Sequence, residues 1–441
     1  MQHCFFYTCF GVKIRYRFFV PTQVLIISSI MSPQIISVAE LATLLRVSIH
    51  TIQTWVAHGR YPSQKDETGA VFFYLKDLQE LPPIREMLYS SWFEELETKP
   101  LRPYTSIELF AGGGGLALGM EKAGFKHIML NEIEHDACQT LRANRPQWNV
   151  IEGNVRLLNF SSFRGKVDLL TGGFPCQAFS YAGNKGGFAD TRGTLFFELA
   201  RAVQEIQPRV VMCENVRGLL SHDKGRTLEV IKATIGELGY HLFEPKVLHA
   251  VQYQVPQKRE RLILIAVRND LLSNARFSWP APYHRIMNLR DAFYAGDLYP
   301  CDVPQSEGQR YPEKKQKVMS LVPMGGNWRD LPAVVQKEYM AGSLHLPGGK
   351  TGIARRLSLD EPSLTLVCAP AQKQTERCHP IETRPLTLRE YARIQTFPDA
   401  WQFSGSLASQ YKQIGNAVPV NLAYAIGRAL VRLLNSLEKE S

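Results

Sequence analysis

Closely spaced cysteine pairs are missing from this sequence of 441 residues. Its eight cysteines include no pair with the short spacing that holds zinc or builds a disulfide framework, so the sequence predicts neither a metal site nor a small disulfide-stabilised fold. Free thiols persist in a reducing compartment, and we therefore expect a cytoplasmic protein. The cysteines stand at positions 4, 9, 138, 176, 213, 301, 368 and 378.

A long uninterrupted apolar run is also missing. The run from Phe18 to Ile30 follows three basic residues, as in a signal peptide, but Pro21 interrupts it and it is too short to span a bilayer. No small-residue cleavage site follows, and Met31 begins sequence typical of a globular protein. We therefore interpret residues 1–35 as a leader outside the fold, with Met31 as the true start. No later run is apolar enough to predict a membrane span.

Apolar and basic residues, by contrast, are plentiful. A hydrophobic content of 45% in a chain of this length is enough for a large core and predicts two or three domains. The 51 basic side chains outnumber the 41 acidic ones and give a formal charge of +10. Such a charge favours a polyanionic partner without identifying it.

Residues 36–85 have the pattern of a small module of their own. Two helical periods, Val38–Leu45 and Ile49–Gly59, are separated by a tight turn in which Ser48 can cap the second helix. Gly69–Tyr74 then has the character of a strand that could form a wing. This predicted helix-turn-helix resembles the DNA-binding domains of MerR-type and excisionase-type regulators. The alternative is a helical hairpin that only packs on the main domain.

Strands alternate with helices after a charged linker at residues 86–103. The alternation covers residues 104–268 and resumes at 381–441, which predicts an α/β domain with a mostly parallel sheet and helices on both faces. Residues 269–380 lose this rhythm and are rich in Pro, Gly, Arg and Lys, so we expect an inserted loop-rich domain. The strands are predicted at 104–110, 127–131, 148–151, 167–170, 209–213 and 262–267, and helices at 116–123, 195–206, 387–395 and 418–434.

Four consecutive glycines connect the first predicted strand to the helix that follows it, within Ser106–Gly119. The absence of side chains leaves the backbone and the helix N-terminus open to a ligand. Glu132 follows Gly112 by 20 residues, at the end of the next strand, where a carboxylate can accept hydrogen bonds from ribose hydroxyls. The pair predicts a nucleoside-containing cofactor and leaves NAD and S-adenosylmethionine as alternatives.

Further chemically active side chains are expected at the same edge of the sheet. Cys176 stands in a loop shaped by glycine and proline, whereas Cys213, inside a strand, has the ordinary character of a buried thiol. Glu214 ends another strand, and Arg259 and Arg261 point to one side of an extended segment. These groups could be a salt-bridged carboxylate and solvated arginines. Beside a thiolate nucleophile they could instead move a proton and fix a base or phosphate.

Six sequence blocks together resemble the DNA (cytosine-5) methyltransferases and occur in the order seen in that family. They extend from position 106 to about 435, with a variable region between the fourth and the fifth, as in the bacterial enzymes of restriction-modification systems. The resemblance implies a Rossmann-like S-adenosylmethionine-dependent methyltransferase sheet, a target-recognition domain in the variable region and double-stranded DNA as substrate. The blocks are Phe110–Gly114, Pro175–Gln177, Glu214–Val216, Gln257–Arg261, Arg384–Glu390 and Gly415–Pro419.

The resemblance also assigns catalytic roles. Cys176 would be the nucleophile that adds to ring carbon 6 of a flipped cytosine, and Glu214 would hold or deliver a proton at ring nitrogen 3. Arg259 and Arg261 would grip the carbonyl oxygen of the base and help to order the catalytic loop. We expect the loop Gln177–Arg192 to close over bound DNA.

The cofactor residues follow from the same resemblance. The family commonly has an aspartate where this chain has Asn154, whose amide oxygen can still accept a hydrogen bond from the adenine amino group, and we expect weaker binding at most. In the recognition region, Trp328 and Arg329 are candidates for DNA contacts. The residues assigned to S-adenosylmethionine are Phe110, Gly112, Gly114, Glu132, Asn154 and Asn416.

Other functions remain open. A cytosine methyltransferase acting on RNA could share the catalytic blocks, although the basic recognition region favours duplex DNA. A DNA-binding regulator with an inactive methyltransferase part is a second alternative, which the intact Cys176 and Glu214 argue against. We predict an enzyme that acts as a monomer on DNA and protects it from a cognate restriction endonuclease without binding that endonuclease. Through residues 36–81 it would also repress its own operon.

Overall fold

The amino-terminal part of the protein is a small antiparallel sheet packed against two helices. The computed structural model describes residues 34–174, 195–345 and 350–438. The elements of this part are β1 (Ile35–Ser37), α1 (Val38–Leu45), α2 (Ile49–Ala57), β2 (Gln64–Lys65) and β3 (Val71–Tyr74). Strand β3 lies between β1 and β2. Ser48 caps α2 as expected, because its side chain accepts a hydrogen bond of 3.0 Å from the backbone NH of Thr51.

This amino-terminal module shares its apolar core with the rest of the protein. Buried residues of its helices and sheet, such as Ile52 and Phe73, form one cluster with Val251 and Ile286 of the main body. Arg46, at the end of α1, also forms an ion pair of 3.2 Å with Glu260. The module is therefore held against the main body by buried apolar contacts as well as by a surface charge pair.

Two short helices connect the module to the central sheet, where the sequence predicted one charged linker helix. They are α3 (Pro82–Leu88) and α4 (Trp92–Leu96). Trp92 is buried in the main core. The centre of its ring lies 5.3 Å from that of Tyr283, and the guanidinium carbon of Arg428 lies over the ring, 4.2 Å from its centre. The connection is thus fixed to the main core at Trp92, an apolar contact that the charged sequence around it does not indicate.

An eight-stranded sheet forms the centre of the protein, with the spatial order β10–β12–β8–β7–β4–β5–β6 and β9 paired to β12. The five strands from β8 to β6 are parallel, which confirms the predicted mixed α/β fold with a central sheet. The strands are β4 (Tyr104–Leu109), β5 (Phe125–Glu132), β6 (Val150–Glu152), β7 (Leu169–Gly172), β8 (Val210–Val216), β9 (Tyr240–Leu242), β10 (Lys246–His249) and β12 (Glu260–Arg268). A separate pair joins β11 (Gln257–Lys258) to β13 (Ser363–Leu364).

Helices cover both faces of this sheet. On one face α5 (Gly115–Lys122) and α14 (Val420–Leu437) pack on the strands, and on the other α7 (Leu195–Ile206) and α8 (Arg226–Glu237) do so. The region Leu407–Leu437 contains a window apolar enough for a membrane span, contrary to the expectation from sequence, but 78% of that window is buried inside the protein. Its apolar character is therefore accounted for by the core. The remaining helices near the sheet are α6 (His135–Asn144), α12 (Leu388–Ile394) and α13 (Leu407–Asn416).

One edge of the sheet departs from the parallel arrangement. Strand β12, predicted at 262–267, runs antiparallel to both β8 and β10. The chain passes from β10 to β12 through residues 250–259, a connection too short for the helical crossover that a parallel pair requires. This reversal brings the beginning of β12 to the end of β8, and so places Arg261 beside the strand that carries Glu214.

The region 269–380 has little regular structure within its described residues. Its helices are α9 (Leu289–Phe293), α10 (Glu313–Ser320) and α11 (Ala333–Met340). A compact apolar cluster around Met319, Met340 and Cys378 holds this lobe together.

Candidate active site

The turn between β4 and α5 has a backbone that only small or strained residues adopt. Phe110, Gly112 and Gly114 have φ angles of 61°, 53° and 87°, in the left-handed region. A Cβ atom on Gly112 would meet nothing within 4 Å, so open space adjoins the backbone there. A Cβ atom on Gly115 would instead collide with the carbonyl oxygen of Val418 at the start of α14. The glycines thus leave open space beside the turn at Gly112 and allow close helix packing at Gly115.

Glu132 is joined to this turn by hydrogen bonds. Its carboxylate accepts from the backbone NH groups of Gly112 at 2.7 Å, Ile133 at 2.8 Å and Glu134 at 2.9 Å. Three of its roughly four lone-pair directions are therefore occupied by amides, and one remains for an outside donor. The spacing of 20 residues noted in the sequence corresponds to a direct contact between turn and carboxylate.

Glu214 and Arg261 form an ion pair at the carboxyl end of β8. The Nε atom of Arg261 lies 2.5 Å from Oε1 of Glu214, and the two side chains are only 11% and 13% exposed. The other carboxylate oxygen lies beside Gly173, where a Cβ atom would be 3.1 Å from it. The pair faces a cleft, and the shortage of water around it strengthens the charge interaction.

Arg259 lines the same cleft but is almost completely buried. It donates hydrogen bonds to the backbone carbonyls of Gly415 at 3.1 Å, Leu366 at 3.4 Å and Asn416 at 3.4 Å. Burial lowers its pKa well below the usual value. In this state Arg259 connects the end of α13 to the segment after β13, a role that the sequence did not indicate.

A cleft of about 710 Å³ brings these groups together. Phe110, Gly112 and Glu132 form one side, Glu214 and Arg261 lie on another, and Asn416 closes it from the end of α13. All of these were predicted as site residues. Gly114 lies in the same turn but does not line the cleft, and a Cβ atom added there would collide with Leu141 and Trp401.

Asn154, like Gly114, is a predicted cofactor residue that does not line this cleft. Its amide oxygen accepts a hydrogen bond of 3.1 Å from the backbone NH of Arg156 and so begins a short 3-10 turn at 155–157. Because asparagine readily bonds to the backbone two residues on, the oxygen proposed for adenine is already engaged.

Two groups at the cleft were missed by the sequence reasoning. Glu108 lies inside β4 and is 1% exposed, and burial raises the pKa of its carboxyl to about 8. Its Oε1 atom has no hydrogen-bond partner among the described residues. Cys368 donates from its thiol to Oδ1 of Asn416 at 3.3 Å. The sequence pattern that could have indicated Glu108 is an acidic residue within an otherwise apolar strand. No sequence pattern indicated Cys368.

Cys176 and the loop Gln177–Arg192 lie outside the described residues. The chain is described up to Phe174, whose carbonyl oxygen accepts a hydrogen bond of 2.9 Å from the side chain of Asn215. Asn215 is the neighbour of Glu214, so the described end of this segment, at Phe174, is held beside the Glu214 carboxylate. Among residues 34–174, 195–345 and 350–438, no group of three His, Cys, Asp or Glu side chains could hold a metal ion.

The comparison with known proteins agrees with this arrangement. The sequence model of the C-5 cytosine-specific DNA methylase family matches residues 104–432. The chain belongs to this family. The predicted enzyme class, a DNA (cytosine-5) methyltransferase, is thereby confirmed.

Similar proteins extend the match over most of the methylase chain. Type II methyltransferase M.Eco47II of Escherichia coli is 59% identical over 404 residues, which are 91% of this chain and 97% of that protein. Type II methyltransferase M.PspPI of Psychrobacter sp. (strain TA137) is 57% identical, over 92% of this chain and 97% of that protein. A prophage-encoded E. coli structure assigned as a DNA modification methyltransferase has 25% identity and a TM-score of 0.55, over 75% of this chain and 99% of its own.

Proposed function

We propose that this methylase transfers a methyl group from S-adenosylmethionine to carbon 5 of a flipped cytosine in a specific double-stranded DNA sequence. The reaction would proceed through a covalent adduct with Cys176 and would protect DNA from a cognate restriction endonuclease, with the enzyme acting as a monomer. The observation that carries the proposal is the largely shielded Glu214–Arg261 pair, which faces the same cleft as the glycine turn and Glu132.

The cleft fits S-adenosylmethionine. The open space at Gly112 admits a ligand to the backbone, and Glu132 retains an acceptor direction for ribose hydroxyls. The edge of Phe110 and the exposed amide of Asn416 would complete the contacts. Adenine recognition by Asn154 would require its present bond to Arg156 to be exchanged or shared. When bound, S-adenosylmethionine supplies an electrophilic methyl group.

The protein residues have to make carbon 5 of cytosine nucleophilic. The Cys176 thiolate would form a bond to carbon 6 while Glu214 holds a proton at ring nitrogen 3, which moves electron density to carbon 5. After methylation, loss of the proton from carbon 5 would re-form the ring double bond and expel the thiolate. Arg261 holds the Glu214 carboxyl and would also bind the carbonyl oxygen of the base. Arg259, expected from the sequence to share that contact, already donates from its terminal nitrogen atoms to backbone carbonyls and would instead support the wall of the cleft.

The decisive test uses DNA with 5-fluorocytosine at the target position. After methyl transfer, release of the Cys176 thiolate requires the substituent on carbon 5 to leave as a cation. Fluorine cannot do so, and the covalent bond between Cys176 and the base therefore remains. We expect a band of enzyme linked to DNA that survives denaturing electrophoresis and forms only when S-adenosylmethionine is present. Ordinary cytosine in the same duplex is the control. Absence of the linked band, with methylation of the control duplex intact, would contradict the covalent scheme.

We also propose that the amino-terminal module binds promoter DNA and represses the operon of the enzyme. The observation that favours this function is the exposed surface of α2, which includes His50 and Gln53 and is preceded by the capped turn at Ser48. Deleting the module is a poor test, because it would uncover Val251 and Ile286. Substitutions on the exposed face of α2 avoid this damage.

Gln53→Glu places a negative charge on this face of α2 and is expected to weaken promoter binding by at least about tenfold, since the phosphate backbone repels it. Methylation should be unchanged. Electrophoretic mobility shifts and methyl-transfer rates measure the two activities, with Glu86→Gln on α3 as the control because Glu86 is also exposed. Equal promoter occupancy for Gln53→Glu and the unmodified protein would contradict repression through α2.

A further inference from the structure

Glu260 stands between the two arginines of the cleft in sequence but takes part in a different group of charges. Arg259 and Arg261 line the cleft, whereas Glu260 does not. Successive side chains of a strand point to opposite faces, so the carboxylate of Glu260 is directed away from the Glu214–Arg261 pair. Its contacts therefore lie immediately beside the cleft without belonging to it.

Three basic side chains from separate parts of the chain meet at Glu260. His249, opposite Glu260 in the pairing of β10 with β12, forms a hydrogen bond with the carboxylate through Nε2. Arg217, directly after β8, donates from Nη1 to Oε2 at 3.0 Å. Arg46, from the amino-terminal module, has its Nε atom 3.2 Å from Oε1. One carboxylate thus joins the module to the ends of β8 and β10.

This group carries an excess of positive charge. Burial lowers the pKa of His249, and the charge of Arg46 lowers it further, so the imidazole is neutral at pH 7. Burial also lowers the pKa of Arg46, while Glu260 raises it and the charge of Arg217 lowers it, so the two guanidinium groups lie near each other. Both keep their charge, because arginine stays protonated in proteins. Two positive charges therefore share one carboxylate.

Both guanidinium groups are open to solvent. The side chain of Arg46 is 44% exposed and that of Arg217 is 55% exposed, and among the described residues neither forms an ion pair with a second carboxylate. Each guanidinium has five N–H donors, more than a shared carboxylate can accept. Donors therefore remain for an outside anion, and the oxygens of a phosphate match the planar fork of arginine. An exposed ion pair contributes little, so its members can turn to a new anion at small cost.

The two arginines stand at the rim of the catalytic cleft. Val216, which lines the cleft and is exposed, directly precedes Arg217. Glu260, the partner of both arginines, directly precedes Arg261, whose ion pair with Glu214 faces the same cleft. A cytosine that enters the cleft stays joined to its strand, in which successive phosphates follow each other at about 3.4 Å along the helix axis. Phosphates a few nucleotides from the target can therefore reach this rim.

We propose that Arg46 and Arg217 together bind the DNA backbone beside the target site, so that the amino-terminal module and the catalytic domain share one phosphate-binding surface. This inference rests on the proposed entry of a cytosine from duplex DNA into the cleft. It gives the module a part in methylation that is independent of promoter binding through α2. Because the backbone is alike in every sequence, this surface adds affinity without selecting a sequence.

The test measures how DNA binding depends on salt. Each phosphate contact releases counterions, so its loss lowers the steepness of log affinity against log salt concentration by about 0.9. Arg46→Gln and Arg217→Gln should each cause this change and weaken binding roughly 5- to 10-fold at about 0.1 M salt, equally for duplexes with and without the target sequence. Arg46→Lys and Arg217→Lys keep the charge and should keep the salt dependence. Fluorescence anisotropy of a labelled duplex gives the affinity at each salt concentration.

Neutral phosphates then locate the contact. A methylphosphonate at one position of the duplex removes a single negative charge, and at the contacted position it should weaken binding by the unmodified enzyme. For Arg217→Gln the same replacement should have no further effect, because the interaction is already missing. Arg164→Gln is the control, because Arg164 is an exposed arginine before the amino end of β7, at the opposite edge of the sheet. It should keep the full methylphosphonate effect and the full salt dependence.

Two outcomes would overturn different conclusions. An unchanged salt dependence in either Arg46→Gln or Arg217→Gln would overturn the shared surface, and an Arg46 that only docks the module through Glu260 gives this result. Arg217→Gln leaves the contacts of the module intact, so it keeps the test decisive if Arg46→Gln lowers the unfolding temperature. Failure of the unmodified enzyme to methylate any duplex would overturn the proposed function instead.

Discussion

Replacement of Cys176 by alanine is expected to abolish methyl transfer while sequence-specific DNA binding remains. Without the thiolate, carbon 5 of cytosine stays a poor nucleophile, because no bond at carbon 6 raises its electron density. Removal of a covalent nucleophile typically lowers kcat by a factor on the order of 10⁶. Transfer of a radioactive methyl group measures the rate, and a mobility shift with the target duplex measures binding.

Cys213→Ala is the matched control for this substitution. Cys213 is buried in β8, and burial raises the pKa of its thiol to about 12, so it holds no thiolate at neutral pH. Its loss removes a small apolar group and should leave the rate nearly unchanged. Methylation by Cys176→Ala above one-hundredth of the normal rate would be incompatible with Cys176 as the nucleophile.

Glu214→Gln is expected to lower kcat by roughly 10²- to 10⁴-fold, the usual contribution of a positioned proton donor or acceptor. The amide keeps the shape of the side chain but cannot transfer a proton to ring nitrogen 3. The substitution also removes the carboxylate that forms the ion pair with Arg261. The KM for DNA should change less than kcat. Steady-state methyl-transfer kinetics with DNA and methyl donor varied in turn separate the two parameters.

A double substitution shows whether the pair acts as a unit. Arg261→Ala leaves Glu214 without its partner, so the combination of both changes should be little worse than Glu214→Gln alone. Glu229→Gln, at an exposed carboxylate on α8, controls for loss of charge. Purely additive effects of the two substitutions would mean that Arg261 acts on the substrate independently of Glu214.

The sequence predicted the parts of the site that depend on local order along the chain. The glycine turn, the acid 20 residues after it and the carboxylate at the end of β8 all line one cleft, because parallel strands bring their carboxyl ends to one edge. Helix α7 was predicted with its observed bounds, since its apolar residues recur at helical spacing.

Contacts between distant segments could not be predicted in the same way. The burial of Arg259 depends on carbonyl groups of Leu366 and Gly415, more than 100 positions away, and no local pattern indicates them. A pair of arginines such as 355 and 356 also looks alike in sequence, although one is fully bonded and the other is not. The helix-turn-helix remains a prediction as a DNA-binding unit.

The apolar core that the amino-terminal module shares with the main body limits how this module can be exchanged between proteins. Val251 and Ile286 are covered by residues of the module, and Trp92 fills space beside Arg428 in the last helix. A relative that acquired this module would have to provide matching apolar residues for it to pack against. A protein that lost the module would expose an apolar patch prone to aggregation. Exchange of this amino-terminal module for another is therefore constrained by apolar packing at its interface with the main body.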